Sequence, residues 1–329
     1  MSRDGWRPDV LGGGFAQRTL PLGEDGEGPV VATLVRLLPE RRLLVRRPLD
    51  DVDVLYVHGW SDYFFQTRLA RFWTERGARF FALDLRKYGR SLRDGQTPGY
   101  VSDLAVYDAD IAAALEAMAD RPADQPGRRL VLVGHSTGGL TLSLWAARHP
   151  GVATALVLNS PWLEFQLSGV RPAIAPVVQM QARWRPMDAA PQIDLGFYAR
   201  AQQEAADPDD PVVVDPRWRP EVSMTVHAGW LHAVLEGHAQ VARGLAIEAP
   251  VCVLLSARSA TPTRWSDDLT RADSVLVVDD IARAALRLGP SVTIERIDGA
   301  LHDVFLSRPD ARRLAYARLG RWTTGFVER

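Results

Sequence analysis

Short apolar runs alternate along this chain with segments whose apolar residues recur at helical spacing. Apolar runs without polar interruption are typical of strands that are buried on both faces of a sheet. Strands are predicted at Val30–Leu38, Val52–Val57, Arg79–Leu85, Leu130–Val133, Ala155–Leu158, Val251–Leu255 and Val292–Ile297. Helices are predicted at Leu104–Ala119 (with Ser102 as its cap), Leu140–Arg148, Asp279–Leu288 and Ala311–Phe326. This alternation predicts an α/β fold with a doubly wound, mostly parallel sheet.

One region interrupts the alternation. Between Pro161 and about Ile247 no strand–helix repeat is present, and tryptophan and methionine are frequent. The region begins just after one predicted core strand and ends just before the next. It should therefore lie over the carboxyl ends of the strands, where open α/β sheets bind ligands. We predict a core domain formed by residues 1–160 and 248–329, with an inserted helical cap at residues 161–247.

Three tryptophans of the predicted cap are candidate substrate-binding residues. Trp162, Trp184 and Trp230 could line a pocket for an apolar acyl chain or an aromatic ring. The alternative is that they form the small hydrophobic core of the cap itself, which would give the same composition. The cap histidines are spaced by five and six residues, so they share no helical face and do not suggest a metal site.

Composition narrows the class of protein. The 329 residues carry a formal net charge of −1, which favours neither nucleic acid nor an anionic membrane surface as a partner. No segment approaches the roughly 20 apolar residues needed to cross a bilayer, and the N-terminus does not resemble a signal peptide. We therefore expect a soluble cytoplasmic protein that acts on a small molecule. Its single cysteine, Cys252, is expected to be a buried apolar residue. The sequence carries no indication of oligomeric state.

The pentapeptide Gly134-His135-Ser136-Thr137-Gly138 carries the candidate chemistry. It follows a predicted buried strand and precedes a predicted helix. In that context G-x-S-x-G predicts a nucleophile elbow, a tight turn that exposes a serine hydroxyl above the sheet. The five letters alone also occur by chance, so the flanking elements decide the interpretation. Ser136 is the predicted nucleophile.

A serine nucleophile needs a base and a carboxylate to orient that base. His302 lies in the loop directly after the last predicted strand, where the base belongs if the chain order is Ser, acid, His. The acid is less obvious, because the strand Val251–Leu255 is followed by Ser256-Ala257-Arg258-Ser259 without a carboxylate. We predict Asp273 as the acid, with Asp279 as the second candidate. No metal ion or organic cofactor is implied by this set.

Acyl chemistry also needs donors for the developing oxyanion, and backbone N–H groups suit this purpose. The amide of Thr137, directly after the serine, is one candidate. The amide of Trp60 is the other, because Gly59 permits a sharp bend after the strand Val52–Val57. The preceding His58 is a further candidate for the substrate-binding region.

With these residues identified, the chain resembles the α/β-hydrolase superfamily, and within it the monoacylglycerol lipase, lysophospholipase and serine aminopeptidase-like group. The resemblance lies in His58-Gly59, in Asp84–Ser91 (similar to D-x-R-G-x-G-x-S), in the elbow Gly134–Gly139 and in the histidine loop Gly299–Asp303. The acid loop of the group has an aspartate where this chain has Ser256–Ser259. The acid looks displaced downstream to Asp273 by an insertion that contains Trp265.

The resemblance implies a serine hydrolase that cleaves a carboxylic ester, with an apolar acyl or aromatic group, through an acyl-enzyme on Ser136. An amidase, peptidase or thioesterase would use the same residues. A non-catalytic small-molecule binder is the alternative from another class, because fold does not determine function.

Overall fold

The computed structural model describes residues 5–40, 46–119, 127–166, 169, 171–192, 194–208 and 212–328. Across these residues one sheet of nine strands runs through the molecule, in the order β1-β2-β3-β5-β4-β6-β7-β8-β9. The strands are β1 Arg7–Pro8, β2 Ala16–Asp25, β3 Gly28–Leu37, β4 Val52–Val57, β5 Arg79–Asp84, β6 Arg129–His135, β7 Ala155–Asn159, β8 Val251–Ser256 and β9 Val292–Ile297. Neighbouring strands from β5 to β9 pair in parallel, and the N-terminal strands β1 to β3 add an antiparallel edge.

Helices connect the strands and cover both faces of the sheet. They are α1 Thr67–Glu75, α2 Tyr107–Ala119, α3 Thr137–Arg148, α4 Arg171–Trp184, α5 Phe197–Ala205, α6 Ala228–Arg243, α7 Val278–Ala285 and α8 Pro309–Phe326. The predicted α/β class with a mostly parallel sheet is therefore confirmed. Among the described residues, no helix is long and apolar enough to span a membrane.

The central strands are apolar on both sides because the sheet separates two cores. Along β4, Leu55 and Val57 pack into one hydrophobic cluster, whereas Val54 and Tyr56 pack into the other. A strand in this position has no solvent-exposed face, which explains the continuous apolar run that follows Asp53. Cys252 on β8 is fully buried in the second cluster, and burial raises the pKa of its thiol.

Helix α1 and strands β1 and β2 were not predicted, and one predicted helix begins differently. The helix predicted at Leu104–Ala119 opens with a short 3₁₀ turn, and its cap is Asp103 rather than Ser102, since the Asp103 carboxylate accepts the Ala105 N–H at 2.8 Å. Strand β2 was not predicted, because it lies near the sheet edge and most of its residues are partly or fully exposed, which leaves no apolar run to detect.

The region predicted as a cap lies between β7 and β8 in the chain. It contains α4, α5 and α6 and, in its described part, no strand of the sheet. Helix α6 packs against α4 and also against α3, the helix that follows the elbow. Helix α6 thus lies next to the helix that follows the predicted nucleophile.

Candidate active site

Ser136 occupies a strained turn between β6 and α3. Its φ of 50° and ψ of −117° lie outside the regions that non-glycine residues favour. A Cβ at Gly138 would lie 2.2 Å from the His58 carbonyl oxygen, and one at Gly134 would lie 2.8 Å from the Gly138 carbonyl oxygen. Only glycine fits either position, so the spacing of the motif follows from close backbone approach. The turn has the geometry of a nucleophile elbow.

A histidine and a carboxylate meet beside this turn. His302 Nδ1 lies 2.9 Å from Asp273 Oδ2, and both side chains are buried. The second carboxylate oxygen of Asp273 accepts the amides of Val275 and Leu276, each at 2.8 Å. A carboxylate held in this way only accepts hydrogen bonds, so Nδ1 carries a proton and Nε2 is the ring nitrogen that can take one up.

The predicted displacement of the acid has a simple structural basis. Asp273 pairs with Ser259 in an isolated parallel bridge, so residues 260–272 leave the end of β8 and return to it. The Ser259 hydroxyl donates to the Leu276 carbonyl oxygen and accepts the Val278 amide, both at 2.8 Å. The serine that replaces the expected aspartate therefore holds the start of α7. The returning chain brings Asp273 into contact with His302.

The second candidate acid lies elsewhere. The Asp279 side chain is 67% exposed and pairs with Arg296 at 2.6 Å. It therefore has a partner outside the site, and of the two candidates only Asp273 contacts His302.

The two predicted oxyanion donors lie on either side of Ser136. Thr137 is the first residue of α3, where backbone N–H groups have no partner within the helix and the helix dipole favours negative charge. The turn that leads to Trp60 lies close by, since a Cβ at Gly59 would be 3.0 Å from Ser136 Cβ. Among the described residues, neither the Thr137 nor the Trp60 amide donates a hydrogen bond to a protein acceptor.

His58 belongs to the scaffold of this turn. Its Nδ1 bonds the Gly59 carbonyl oxygen at 2.8 Å, and its Nε2 accepts the Leu85 amide at 3.1 Å. The ring is buried, and both nitrogens are occupied by backbone groups. The arrangement leaves no ring nitrogen for a substrate and ties the end of β4 to the end of β5.

The structure brings together two of the three predicted cap tryptophans. Trp230 packs on Trp60 with ring centroids 3.8 Å apart, and Trp162 lies 6.0 Å from Trp230. The Trp162 amide donates to the Ser136 carbonyl oxygen at 3.0 Å, so this aromatic group adjoins the elbow. Trp184, at the end of α4, is 75% exposed and has no ring contact with that group.

The loop that carries His302 is fixed by residues that the sequence analysis did not select. Asn159 Nδ2 donates to Asp303 Oδ1 at 2.7 Å, and the Val304 amide donates to Asn159 Oδ1 at 3.2 Å. Gln66 Nε2 donates to the other Asp303 oxygen at 3.3 Å. Asn159 is the last residue of β7, and a polar residue directly after an apolar run was the signal available in the sequence.

His135, the residue before Ser136, lies close to the predicted base. Its Nδ1 bonds the Asn159 carbonyl oxygen at 3.1 Å, and its ring lies 5.0 Å from the His302 ring. Burial lowers the pKa of His135, so the ring is neutral at pH 7. It packs behind the base without adding a charge to the site.

The family model described as "Serine aminopeptidase, S33" matches residues 51–307, which is well over half of the chain. The chain belongs to this family. Within the curated proteins, this S33-family chain is 25% identical over 255 residues to a monoacylglycerol lipase from Mycolicibacterium smegmatis, covering 77% of this chain and 81% of that protein. The predicted group is thereby confirmed.

Solved structures agree on the fold. A soluble variant of monoglyceride lipase from Saccharomyces cerevisiae superposes with a TM-score of 0.65 at 16% identity, covering 94% of this chain and 97% of that one. Monoacylglycerol lipase from Paleococcus ferrophilus gives 0.62 at 18% identity, covering 89% and 99%. Est1E from Butyrivibrio proteoclasticus with bound ferulic acid gives 0.57 at 15% identity, covering 94% and 99%. The S33-family chain is thus an α/β-hydrolase that resembles lipases and esterases.

Proposed function

We propose that this S33-family protein is a serine hydrolase that cleaves carboxylic esters through an acyl-enzyme on Ser136. The observation that carries the proposal is the buried 2.9 Å contact between His302 and Asp273, with the His302 ring 5.0 Å from the ring of His135, the residue directly before the strained Ser136. A serine hydroxyl reacts slowly at neutral pH unless a base removes its proton, and a bound carboxylate keeps the imidazole in the tautomer that can do so.

The roles follow from the donors and acceptors. Ser136 Oγ attacks the ester carbonyl carbon while its proton passes to His302 Nε2, and Asp273 stabilises the imidazolium that forms. The negative charge moves to the carbonyl oxygen, which accepts hydrogen bonds from the Trp60 and Thr137 amides. The alcohol leaves with the proton from His302. Water then attacks the acyl-enzyme in the same way and releases the carboxylic acid and free Ser136.

An apolar acyl or aromatic ester is the substrate class that the surroundings favour. Trp60, Trp162 and Trp230 form an aromatic group beside the elbow, and such surfaces bind alkyl chains and rings. We assign residues 161–247, which supply two of these tryptophans, to a cap over the site. The similar proteins include monoacylglycerol lipases and an esterase with bound ferulic acid, which is consistent with this class.

A peptidase is the second candidate, because the family model is described as a serine aminopeptidase. Acyl transfer to water uses the same residues for an amide, and the leaving group distinguishes the two functions. Aminoacyl p-nitroanilides compared with p-nitrophenyl esters at equal concentration separate them, since a peptidase would release p-nitroaniline at a comparable kcat/KM.

The test combines a substrate series with an active-site label. We expect hydrolysis of p-nitrophenyl esters that increases from acetyl to longer acyl chains, and covalent labelling by a fluorophosphonate probe. Ser136→Ala should lose both while its melting temperature stays near that of the wild type. Ser143→Ala is the matched control, because the Ser143 hydroxyl on α3 donates to the Gly139 carbonyl oxygen at 2.7 Å. This variant should label and turn over normally.

The possible outcomes differ clearly. Labelling of Ser136→Ala at the wild-type rate would show that another residue is the nucleophile. A wild-type protein that neither labels nor hydrolyses any ester or anilide would favour the non-catalytic binder. A steady preference for the shortest acyl chain would contradict the apolar substrate class and leave the nucleophile assignment intact.

A further inference from the structure

Helix α5 connects three parts of the molecule that surround the proposed base. Ala201 and Ala205 on its buried face form a small apolar cluster with Leu301, the residue directly before His302. Trp265 from the acid-bearing insertion packs against the same cluster. We name these four residues the α5 cluster. It joins the region between β7 and β8, the histidine loop and the insertion that displaces the acid.

Trp265 holds α5 from the outer side. Its ring lies 5.9 Å from the Phe197 ring at 66°, an edge-to-face arrangement. The Arg200 guanidinium carbon lies 3.8 Å from the centroid of the Trp265 ring, which is a cation–π contact. Both contacts come from the first turn of α5, so the insertion anchors the end of the helix that faces the site.

Tyr198 extends from that first turn to the base. Its ring lies 5.6 Å from the His302 ring at 74°, again edge to face. Its hydroxyl oxygen accepts the Asp303 amide at 3.0 Å and Gln202 Nε2 at 2.8 Å. One side chain therefore contacts the imidazole and also binds the backbone N–H of the next residue.

The histidine loop is thus fixed from two directions. On the core side the Asp303 carboxylate is held by Asn159 and Gln66. On the opposite side the Asp303 amide has Tyr198 as its acceptor. A buried N–H that loses its acceptor costs about 1–3 kcal/mol of stability. Without the Tyr198 hydroxyl, the histidine loop would therefore lower its free energy by shifting to give the Asp303 N–H another acceptor. Small displacements of a catalytic group matter, since about 1 Å can lower the rate on the order of 100-fold.

We propose that Tyr198 is a positioning residue for His302 and that Trp265 anchors the helix that presents it. The proposal rests on the Ser136–His302–Asp273 assignment made above. The packing of α5 and the alignment of His302 are therefore coupled, because the first turn of α5 contacts both Trp265 and the histidine loop. The insertion that moves the acid to Asp273 supplies the anchor as well.

Three variants separate the contributions of the Tyr198 hydroxyl, the Tyr198 ring and the Trp265 anchor. Tyr198→Phe removes only the hydroxyl, and Tyr198→Leu also removes the aromatic edge. We expect Tyr198→Phe to lower kcat for a p-nitrophenyl ester by about 10-fold or more, with KM within about two-fold, since the base is misplaced and substrate contacts are kept. Tyr198→Leu should lower kcat further.

Trp265→Ala tests the anchor without touching the base. It should lower kcat in the same direction as Tyr198→Phe, and the double variant should lose less than the product of the two single losses, because both act on one contact. Gln203→Ala is the control, since Gln203 is exposed on the same helix. Its kcat and KM should match the wild type. Fluorophosphonate labelling rates and melting temperatures, measured on every variant, separate misalignment from unfolding.

Three results would overturn the proposal. These are wild-type kcat in both Tyr198→Phe and Tyr198→Leu, independent losses in the double variant, or losses matched by Gln203→Ala. Each is distinguishable from failure of the proposed function, which shows instead as labelling or turnover that survives in Ser136→Ala. If a Tyr198 variant does not fold, kcat of Trp265→Ala is the deciding measurement. A wild-type kcat in Trp265→Ala would show that Trp265 is not an anchor and would reject the proposal.

Discussion

Replacement of Asp273 by asparagine tests the residue that distinguishes this chain most from the group it resembles. The substitution preserves the size and shape of the side chain and removes only its charge and one acceptor. In the structure Asp273 Oδ1 accepts two amides, those of Val275 and Leu276, each at 2.8 Å. An asparagine must place its oxygen there, because its NH₂ group cannot accept these donors.

The orientation forced by those amides determines the size of the effect. With the oxygen facing them, the asparagine NH₂ faces His302 Nδ1 at the position where Oδ2 now lies, 2.9 Å away. The imidazole must then present a lone pair at Nδ1 and carry its proton on Nε2, which is the wrong tautomer for removing the serine proton. A tautomer reversal of this kind lowers kcat by up to about 10⁴-fold. Each factor of ten is 1.36 kcal/mol, so the barrier rises by about 5 kcal/mol.

The assay is kcat and KM for a p-nitrophenyl ester, with the rate of fluorophosphonate labelling measured in parallel. Asp279→Asn is the matched control, because it makes the same chemical change at the exposed carboxylate paired with Arg296. Exposed ion pairs contribute about 0–1 kcal/mol, so this variant should differ little from the wild type in rate or melting temperature.

The reasoning fails if Asp273→Asn retains more than about a tenth of the wild-type kcat. It also fails if Asp279→Asn is the variant that loses activity. A loss of folding in Asp273→Asn would leave the labelling rate of the folded fraction as the deciding measurement, and normal labelling would reject Asp273 as the acid.

Two further predictions concern the frame of the site. Gly138→Ala should abolish esterase activity and lower the free energy of unfolding by more than about 3 kcal/mol, because its Cβ would lie 2.2 Å from the His58 carbonyl oxygen. The control is Gly325→Ala in α8, where a Cβ would meet no atom within 4 Å, so this variant should be neutral or slightly stabilising. Chemical denaturation measures both. His238→Gln tests a buried histidine whose Nε2 bonds the Trp162 carbonyl oxygen at 2.8 Å and whose pKa burial lowers to about 3. Between about pH 3 and pH 6.5 the imidazole of His238 is protonated in the unfolded chain and neutral in the folded one, so its contribution to stability falls as pH falls. From pH 7 to pH 5 the free energy of unfolding of the wild type should therefore fall by about 2 kcal/mol more than that of His238→Gln. Equal decreases in the two proteins would contradict the prediction.

The central strands and the serine were predictable because their signals are local. A strand buried on both faces has an apolar run, and β4 begins and ends at the predicted residues. Strand β9 also has the predicted bounds, although it is only partly buried. The elbow is local in part, since Gly134 closely approaches Gly138 within the same turn, whereas Gly138 approaches the His58 carbonyl oxygen at the end of β4. Strand β2, next to the sheet edge, lacks an apolar run and was not predicted.

The sequence by itself determined the α/β class, the elbow at Ser136 and the place of His302 in the chain order. Only the tertiary structure placed Asp273 rather than Asp279 against His302, separated Trp184 from Trp162 and Trp230, and revealed the contact of Tyr198 with the histidine loop. The physical reason is distance along the chain. The first group depends on contacts between near neighbours, whereas the second depends on how residues 260–272 and helix α5 return to the sheet, which no local pattern encodes.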